Sequence, residues 1–159
     1  MPTLPQLIEE DIQKLAVVMT ELLERGDATA ALLVDKGGFL LHQAGDTRQF
    51  DPTTLAALAS GSYLANQTIA GLVQEKNFNS VYQQGSTNSM LIMNVDESCL
   101  LVVIFPAATS VGAVRYFAAP AISQIAAQLQ TAWQRDPKNG LDLSVLNLKN
   151  PEVLFRKKT

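Results

Sequence analysis

One segment of the chain, residues 52–74, runs for twenty-three residues without a charged side chain. It contains too much Ser, Thr, Asn, Gln and Gly for a membrane span, and Asp51 followed by Pro52 is an N-cap acceptor with a proline at the first helical position. Helix faces in contact with water normally carry Lys and Glu. We therefore predict a helix that is covered by a protein partner.

The helical period divides this segment into two stripes. The first is the more apolar and is predicted to lie on the core: Leu55, Leu58, Ser62, Ala65, Ile69 and Leu72. The second is mostly small and is predicted to face the partner, because small side chains let another backbone come close: Ala57, Gly61, Leu64, Thr68 and Gly71. Tyr63 and Gln67 lie outside both stripes, so we expect them at the surface.

The rest of the chain alternates between apolar runs and turn residues. Helical spacing covers residues 4–24 and 109–134 as well, and five strands are predicted at 28–34, 39–44, 78–84, 89–95 and 99–105. Short turns join most strands, which indicates an α/β sandwich with a five-stranded antiparallel sheet and helices on both faces, in the order α-β-β-α-β-β-β-α. The run 99–105 is predicted to be central and the polar run 78–84 to be an edge. Pro120 predicts a kink or break near Tyr116.

Composition and charge exclude several classes of function. Only 17% of the residues are charged, against an average near 25%, which favours an oligomer. Residues 1–134, the predicted domain, hold 12 acidic and 6 basic residues, so a nucleic-acid groove is not expected. Residues 135–159 are basic and form a predicted tail that is mobile or docks on a surface. The single cysteine and the lack of a signal peptide predict a cytoplasmic protein without membrane insertion.

Residues that could carry catalysis are scarce. His42 is the only histidine, Cys99 lies in an apolar run, and no phosphate loop or metal-ligand cluster is visible. We therefore predict no catalytic, cofactor or metal site. Arg115 either contacts a phosphate or an acidic partner or, as we favour, pairs with an acid of the first helix. The acids at positions 9–11 are predicted to be solvated.

Three stretches together resemble the Roadblock/LC7 family over about residues 5–134. They are ALLVDKGGFLLHQAGD, DPTTLAALASGSYLANQTIAGLV and LLVVIFPAATSVGAVR. The likeness is greatest to the bacterial MglB-like branch, which acts in gliding motility and cell polarity with a small Ras-like GTPase. It implies a five-stranded antiparallel sheet with the second helix on one face and the first and last helices on the other.

The resemblance also implies a homodimer, formed by pairing second helices and joining third strands edge to edge. Its interface would contain Ala57, Gly61, Leu64, Thr68, Gly71, Phe78, Ser80 and Tyr82. The paired helices would present a GTPase-docking surface, for which the candidates here are Ser60, Tyr63, Leu64, Gln67 and Thr68. Family members of this branch change GTP hydrolysis by reshaping the switch loops of the GTPase, without supplying an arginine finger.

Two other functions are compatible with the same residues. A Roadblock dimer could scaffold a larger complex without affecting any nucleotide cycle. A small-ligand sensor is the third hypothesis, and it requires a polar-lined cavity of about 300 Å³ or more. We rank it last, because the apolar positions are filled by Ala, Leu, Val and Ile rather than by convergent polar groups.

Overall fold

The computed structural model describes residues 5–135. Its helices are α1 (Glu9–Gly26), α2 (Pro52–Leu72) and α3 (Val111–Gln134). Its strands are β1 (Ala30–Asp35), β2 (Leu40–Gly45), β3 (Ser80–Gln83), β4 (Asn88–Asn94) and β5 (Cys99–Pro106). The predicted order of elements is confirmed. The predicted tail, residues 136–159, lies outside the described residues.

The five strands form one antiparallel sheet in the order β2-β1-β5-β4-β3. β5 lies at the centre and β3 at an edge, as predicted. The apolar run of β5 is buried on both faces of the sheet because helices cover both. The pairing of β1 with β2 is irregular, since its register shifts between Leu33 and Val34.

One face of the sheet is covered by α1 and α3 together. Leu15, Met19 and Leu22 of α1 and Ile125 and Leu129 of α3 are fully or almost fully buried against it. At 3.6 residues per turn these positions form one stripe on each helix. The opposite face is covered by α2 alone, through a smaller core.

A buried ion pair fastens the start of α1 to the end of α3. Asp11 is completely buried and accepts two hydrogen bonds from the Arg135 guanidinium, at 2.7 and 2.8 Å, and one from Gln128 Nε2 at 2.6 Å. These hydrogen bonds hold the pKa of Asp11 well below its ordinary value. The prediction that this acid is solvated was therefore wrong, because its partners come from the far end of the chain.

The ends and the interior of the outer helices differ from the sequence prediction. The Asp11 carboxylate also accepts the N–H of Ile8 at 2.9 Å, so α1 begins at Glu9 rather than at residue 4. Helix α3 is continuous from Val111 to Gln134 with Pro120 inside it, so the break expected near Tyr116 does not occur. No helix within residues 5–135 combines the length and apolar character that crossing a bilayer requires.

Candidate protein-interaction surface

Helix α2 is built by local sequence signals. The Asp51 carboxylate accepts the N–H of Thr53 at 3.1 Å and the hydroxyl of Thr54 at 2.6 Å, and Pro52 occupies the first turn. The N-terminal N–H groups of a helix have no partners inside the helix, so this cap satisfies one of them. The predicted start of the helix at Pro52 is confirmed.

The side of α2 that lies on the sheet is made of small residues and one tyrosine. Ala56, Ala59, Ser60, Tyr63 and Ala70 are buried there. The prediction that the first stripe lies on the core holds for Leu55, which packs on the smaller core. It was wrong for most of the stripe, as is clear from Leu58, which is 67% exposed, and Leu72, which is 80% exposed. The reason is steric. The helix approaches the sheet and its turns closely, and a Cβ added at Gly38 would stand 3.3 Å from the Ala57 Cα atom.

Three predicted docking residues face inward instead. The Ser60 hydroxyl donates to the backbone carbonyl of Lys36, and the Tyr63 hydroxyl donates to Asn94 Oδ1 at 3.5 Å. Gln67 Nε2 donates to the carbonyl oxygen of Phe78 at 3.2 Å, and Gln67 itself is half-buried. The prediction that Tyr63 and Gln67 lie free at the surface was wrong, because these polar groups tie α2 to the sheet and its loops. Ser60 and Tyr63 are too buried to meet a partner directly.

The outer face of α2 is exposed and carries no charge. We define this outer face as Ala57, Leu58, Gly61, Leu64, Thr68, Ile69, Gly71 and Leu72. It contains all five residues of the predicted partner stripe together with three large apolar residues that had been assigned to the core. No atom lies within 4 Å of a Cβ added at Gly61 or at Gly71, so the face is open along its length. A contiguous apolar patch of this kind is typical of a protein interface.

Strand β3 supplies a second open element beside α2. One side of it pairs with β4, and within the described chain no strand pairs with the other side. Phe78 and Ser80 are half-buried and Tyr82 is 37% exposed. The remaining predicted interface residues therefore lie at or next to an edge that is accessible in the single chain.

Two open grooves flank α2. One, of about 720 Å³, is lined by Lys36, Tyr63, Leu64, Gln67, Asn77, Phe78, Asn79, Asn94, Asp96 and Glu97. The other, of about 670 Å³, lies over the part of the sheet that includes Met90 and Ile104 and is bordered by Leu55. The first exceeds the volume that the sensor hypothesis requires. Lys36 Nζ donates to the carbonyl of Asp96 at 2.7 Å, and the Tyr63 hydroxyl and Gln67 Nε2 are bonded within the chain, so these three groups are engaged. Gln67 Oε1 is buried and has no hydrogen-bond partner among the described residues.

Arg115 does not pair with an acid of α1, so the interpretation that we favour from the sequence is wrong. Its Nη1 donates to the hydroxyl of Ser80 at 2.5 Å, across from α3 to the edge strand. No carboxylate of the described residues forms a salt bridge with it. The guanidinium therefore lies on the α1/α3 side of the sheet, beside the open edge and on the opposite face from α2.

The described residues offer little for catalysis. Cys99 is buried, and burial together with the nearby Asp96 and Asp35 raises its pKa to about 12, so the reactive thiolate is scarce at neutral pH. Burial also lowers the pKa of His42 and of Lys36, whose ammonium lies 5.7 Å from the centre of the Tyr63 ring. Within residues 5–135 no group of three or more His, Cys, Asp or Glu side chains could hold a metal ion.

Comparisons with known proteins agree with this architecture. The Roadblock/LC7 domain model matches residues 14–105. The solved structure of Myxococcus xanthus MglB is 31% identical in sequence, with a TM-score of 0.74. The match covers 80% of this chain and 96% of the MglB chain. The structure of the gliding protein MglB from Thermus thermophilus is 27% identical, with a TM-score of 0.73, and the match covers 82% of this chain and 98% of that chain. A structure described as MglB with tetrameric arrangement is also 27% identical, covering 83% and 98%, with a TM-score of 0.74. The comparison with curated proteins gives no match.

Proposed function

Because the chain belongs to the Roadblock/LC7 domain family, we propose that it is a non-enzymatic homodimer that binds a small Ras-like GTPase and modulates its GTP hydrolysis or nucleotide cycle. The likeness to MglB structures supports a regulator or adaptor. The observation that carries the proposal is the outer face of α2, which is apolar, uncharged and exposed in the single chain.

The outer face is suited to packing against another helix. Gly61 and Gly71 leave room for a second backbone, and Leu58, Leu64 and Leu72 supply apolar area that would leave water on association. A helix on a fixed sheet loses little conformational entropy on binding, so most of the gain from burial remains available. In the proposed dimer, two α2 helices and two β3 edges come together.

The same helix pair would present a neutral platform to the GTPase. Binding then changes the nucleotide cycle by stabilising one arrangement of the switch loops of the GTPase, which is a shift in its conformational population. Direct participation of an arginine is not part of the proposal. Arg115 lies on the other face of the sheet, hydrogen-bonded to Ser80, and α2 itself contains no charged residue.

Gly61→Arg is the sharpest test of the outer face. Since a Cβ at Gly61 meets no atom within 4 Å, the variant is expected to fold, and the alternative that it abolishes folding is no longer expected. A cation placed in an uncharged interface has no counterion there, so the dimer dissociation constant should rise by about a hundredfold or more. Gly61→Ala is the matched control and should remain dimeric. Sedimentation measures both, with circular dichroism to check folding.

The GTPase arm uses the full-length protein mixed with each Ras-like GTPase of the same organism. We expect a complex and a changed rate of GTP hydrolysis or nucleotide exchange with at least one, and loss of both effects with Gly61→Arg. A complex that leaves every nucleotide rate unchanged would support the adaptor function instead. Absence of any complex, or full activity in Gly61→Arg, would contradict the proposal.

A further inference from the structure

A groove runs along the outer side of the contact between α1 and α3. Its larger part, of about 500 Å³, has Leu15, Val17 and Val18 of α1 on one wall and Gln124 and Gln128 of α3 on the other. A cleft of about 90 Å³ continues it, since Val18 and Gln124 line both. We call the two together the α1/α3 groove. It lies on the opposite face of the sheet from α2, so it is separate from the outer face of that helix.

The wall that α1 supplies to this groove is apolar where it meets water. Val17 is 67% exposed and Val18 is half-buried. Two exposed ion pairs of α1 lie along the groove, Glu10 with Lys14 and Glu21 with Arg25. The aliphatic stems of lysine and arginine side chains add apolar surface below their charged ends. An apolar floor with a polar rim is the arrangement to which an apolar segment of chain binds.

The described chain ends beside one end of the α1/α3 groove. Arg135 follows the last residue of α3 in an extended conformation, and its guanidinium binds the carboxylate of Asp11. Gln128, which lines the groove, donates to the same carboxylate at 2.6 Å. The residues that follow Arg135 therefore start next to the groove.

These following residues include an apolar run that is within reach of the groove. Residues 141–148 read LDLSVLNL, in which five of eight are apolar. Leu141 is six positions after Arg135, and six residues of chain span at most about 20 Å. Along α3, at about 1.5 Å per residue, Gln128 is only about 10 Å and Gln124 about 16 Å before Arg135. The run can therefore lie over the groove of its own chain.

Attachment and charge both favour this pairing. A segment that a short linker joins to its site has an effective concentration in the millimolar range, so even a weak contact is occupied. Residues 136–159 hold five basic and three acidic residues. The exposed side chains of α1 are four acidic and two basic, so the two surfaces attract each other. The outer face of α2 is uncharged and lies across the sheet, and it offers neither advantage.

We propose that the apolar run at residues 141–148 binds in the α1/α3 groove of its own chain, over Val17. Binding removes the run from water and holds it on the opposite face of the sheet from α2. The outer face of α2 then stays open for association. This inference goes beyond the proposed function and requires neither a second copy nor a GTPase.

Hydrogen exchange of the full chain, followed by mass spectrometry, tests the binding. The amides of residues 141–148 should exchange about tenfold more slowly in the unchanged protein than in Val17→Glu, which puts a charge into the groove and opposite a run that itself carries Asp142. Thr20→Glu adds the same charge at an exposed position of α1 outside the groove and should keep the slow exchange. Circular dichroism checks that both variants fold. Equal exchange in the unchanged protein and in Val17→Glu would overturn the inference.

Thiol labelling from the other side of the contact gives the reciprocal test. Val17→Cys should react slowly with a bulky maleimide, and Leu143→Glu together with Leu146→Glu in the same chain should accelerate the reaction about tenfold. Thr20→Cys is the matched control, and its rate should be the same with and without the two glutamates. Cys99 is buried and does not compete. An unchanged rate at Val17→Cys would show that the run does not cover this residue.

Two further outcomes would place the run elsewhere and so overturn the inference. Protection that rises with protein concentration would put the run on another copy of the chain. Release of the run by Gly61→Arg instead of Val17→Glu would put it on the outer face of α2. Neither outcome alters the sedimentation and GTPase experiments, so this inference and the proposed function fail separately.

Discussion

The helices on the two faces of the sheet differ in what they bury and in what they expose to solvent. On the α1/α3 face, large side chains such as Leu22 and Leu129 fill the core, and exposed ion pairs such as Glu10 with Lys14 cover the outside. On the α2 face, a single helix packs through small residues and turns Leu58 and Leu72 outward. The first face resembles the surface of a stable monomer. The second resembles the inside of a larger assembly.

This difference separates folding from association. The α1/α3 layer contributes most of the large buried side chains and the one buried ion pair of residues 5–135, so its residues should control the stability of the single chain. The outer face of α2 has little to do with the chain's own core. Its residues should control association while leaving folding almost unchanged.

A matched pair of leucines gives the largest contrast. Leu22→Ala empties a buried site in the α1/α3 layer and should lower the free energy of unfolding by about 2–5 kcal/mol. Leu58→Ala truncates an exposed side chain of the outer face and should change that free energy by about 0.5 kcal/mol or less. Urea unfolding at a concentration where the protein is monomeric measures both. Equal losses would erase the proposed division between the two faces.

The Asp11 ion pair gives the next largest effect. Asp11→Asn leaves Arg135 without its carboxylate, and since Arg135 is partly exposed we expect a loss of about 2–3 kcal/mol. The pKa of Asp11 is depressed in the folded chain, so the stabilisation is present above its ordinary value of 3.8 and is lost as the pH falls below it. Wild type and variant should therefore converge in acid. A difference that stays constant from pH 7 to pH 3 would contradict this origin.

The smallest effect concerns the Cys99 thiol of the unchanged residue. Its labelling rate does not alter stability but reports how often the centre of the sheet opens. With a pKa of about 12 and complete burial, the thiol should react with iodoacetamide only when β5 opens. Denatured protein, with its single cysteine, should be labelled completely. Leu22→Ala should accelerate labelling and Leu58→Ala should not. Rapid labelling of the native wild type would show that β5 is not protected.

Much of the fold could be predicted from local signals. Turn residues and apolar runs gave the order of elements, Asp51 and Pro52 gave the start of α2, and the hydrophobicity of β5 placed it at the centre. The orientation of α2 could not be predicted in this way, because an uncharged helix has no polar side to indicate solvent. The spacing of its leucines is typical of a core face. The side that packs on the sheet instead contains mainly alanine and serine, because the helix comes close to the sheet.

The hydrogen-bond partners of isolated charged residues could not be predicted from the sequence either. Asp11 meets Gln128 and Arg135, which are more than a hundred positions away, and Arg115 meets Ser80 across the space between a helix and an edge strand. Nothing in the spacing of these residues links them. The signal that remained was compositional, since a helix without charge must be hidden by something. It predicted the exposure of all five residues of the partner stripe, but it placed Leu58, Ile69 and Leu72 in the core although they are exposed.

The irregular register between β1 and β2 would limit how far copies of this chain could add to one another by strand pairing. A sheet with two regular borders can grow without end, as in a fibril. Here the border at β2 is disrupted, and only the border at β3 is regular. In the proposed dimer, association through β3 would use that border in both molecules, so strand addition would stop at two copies and leave no template for a third.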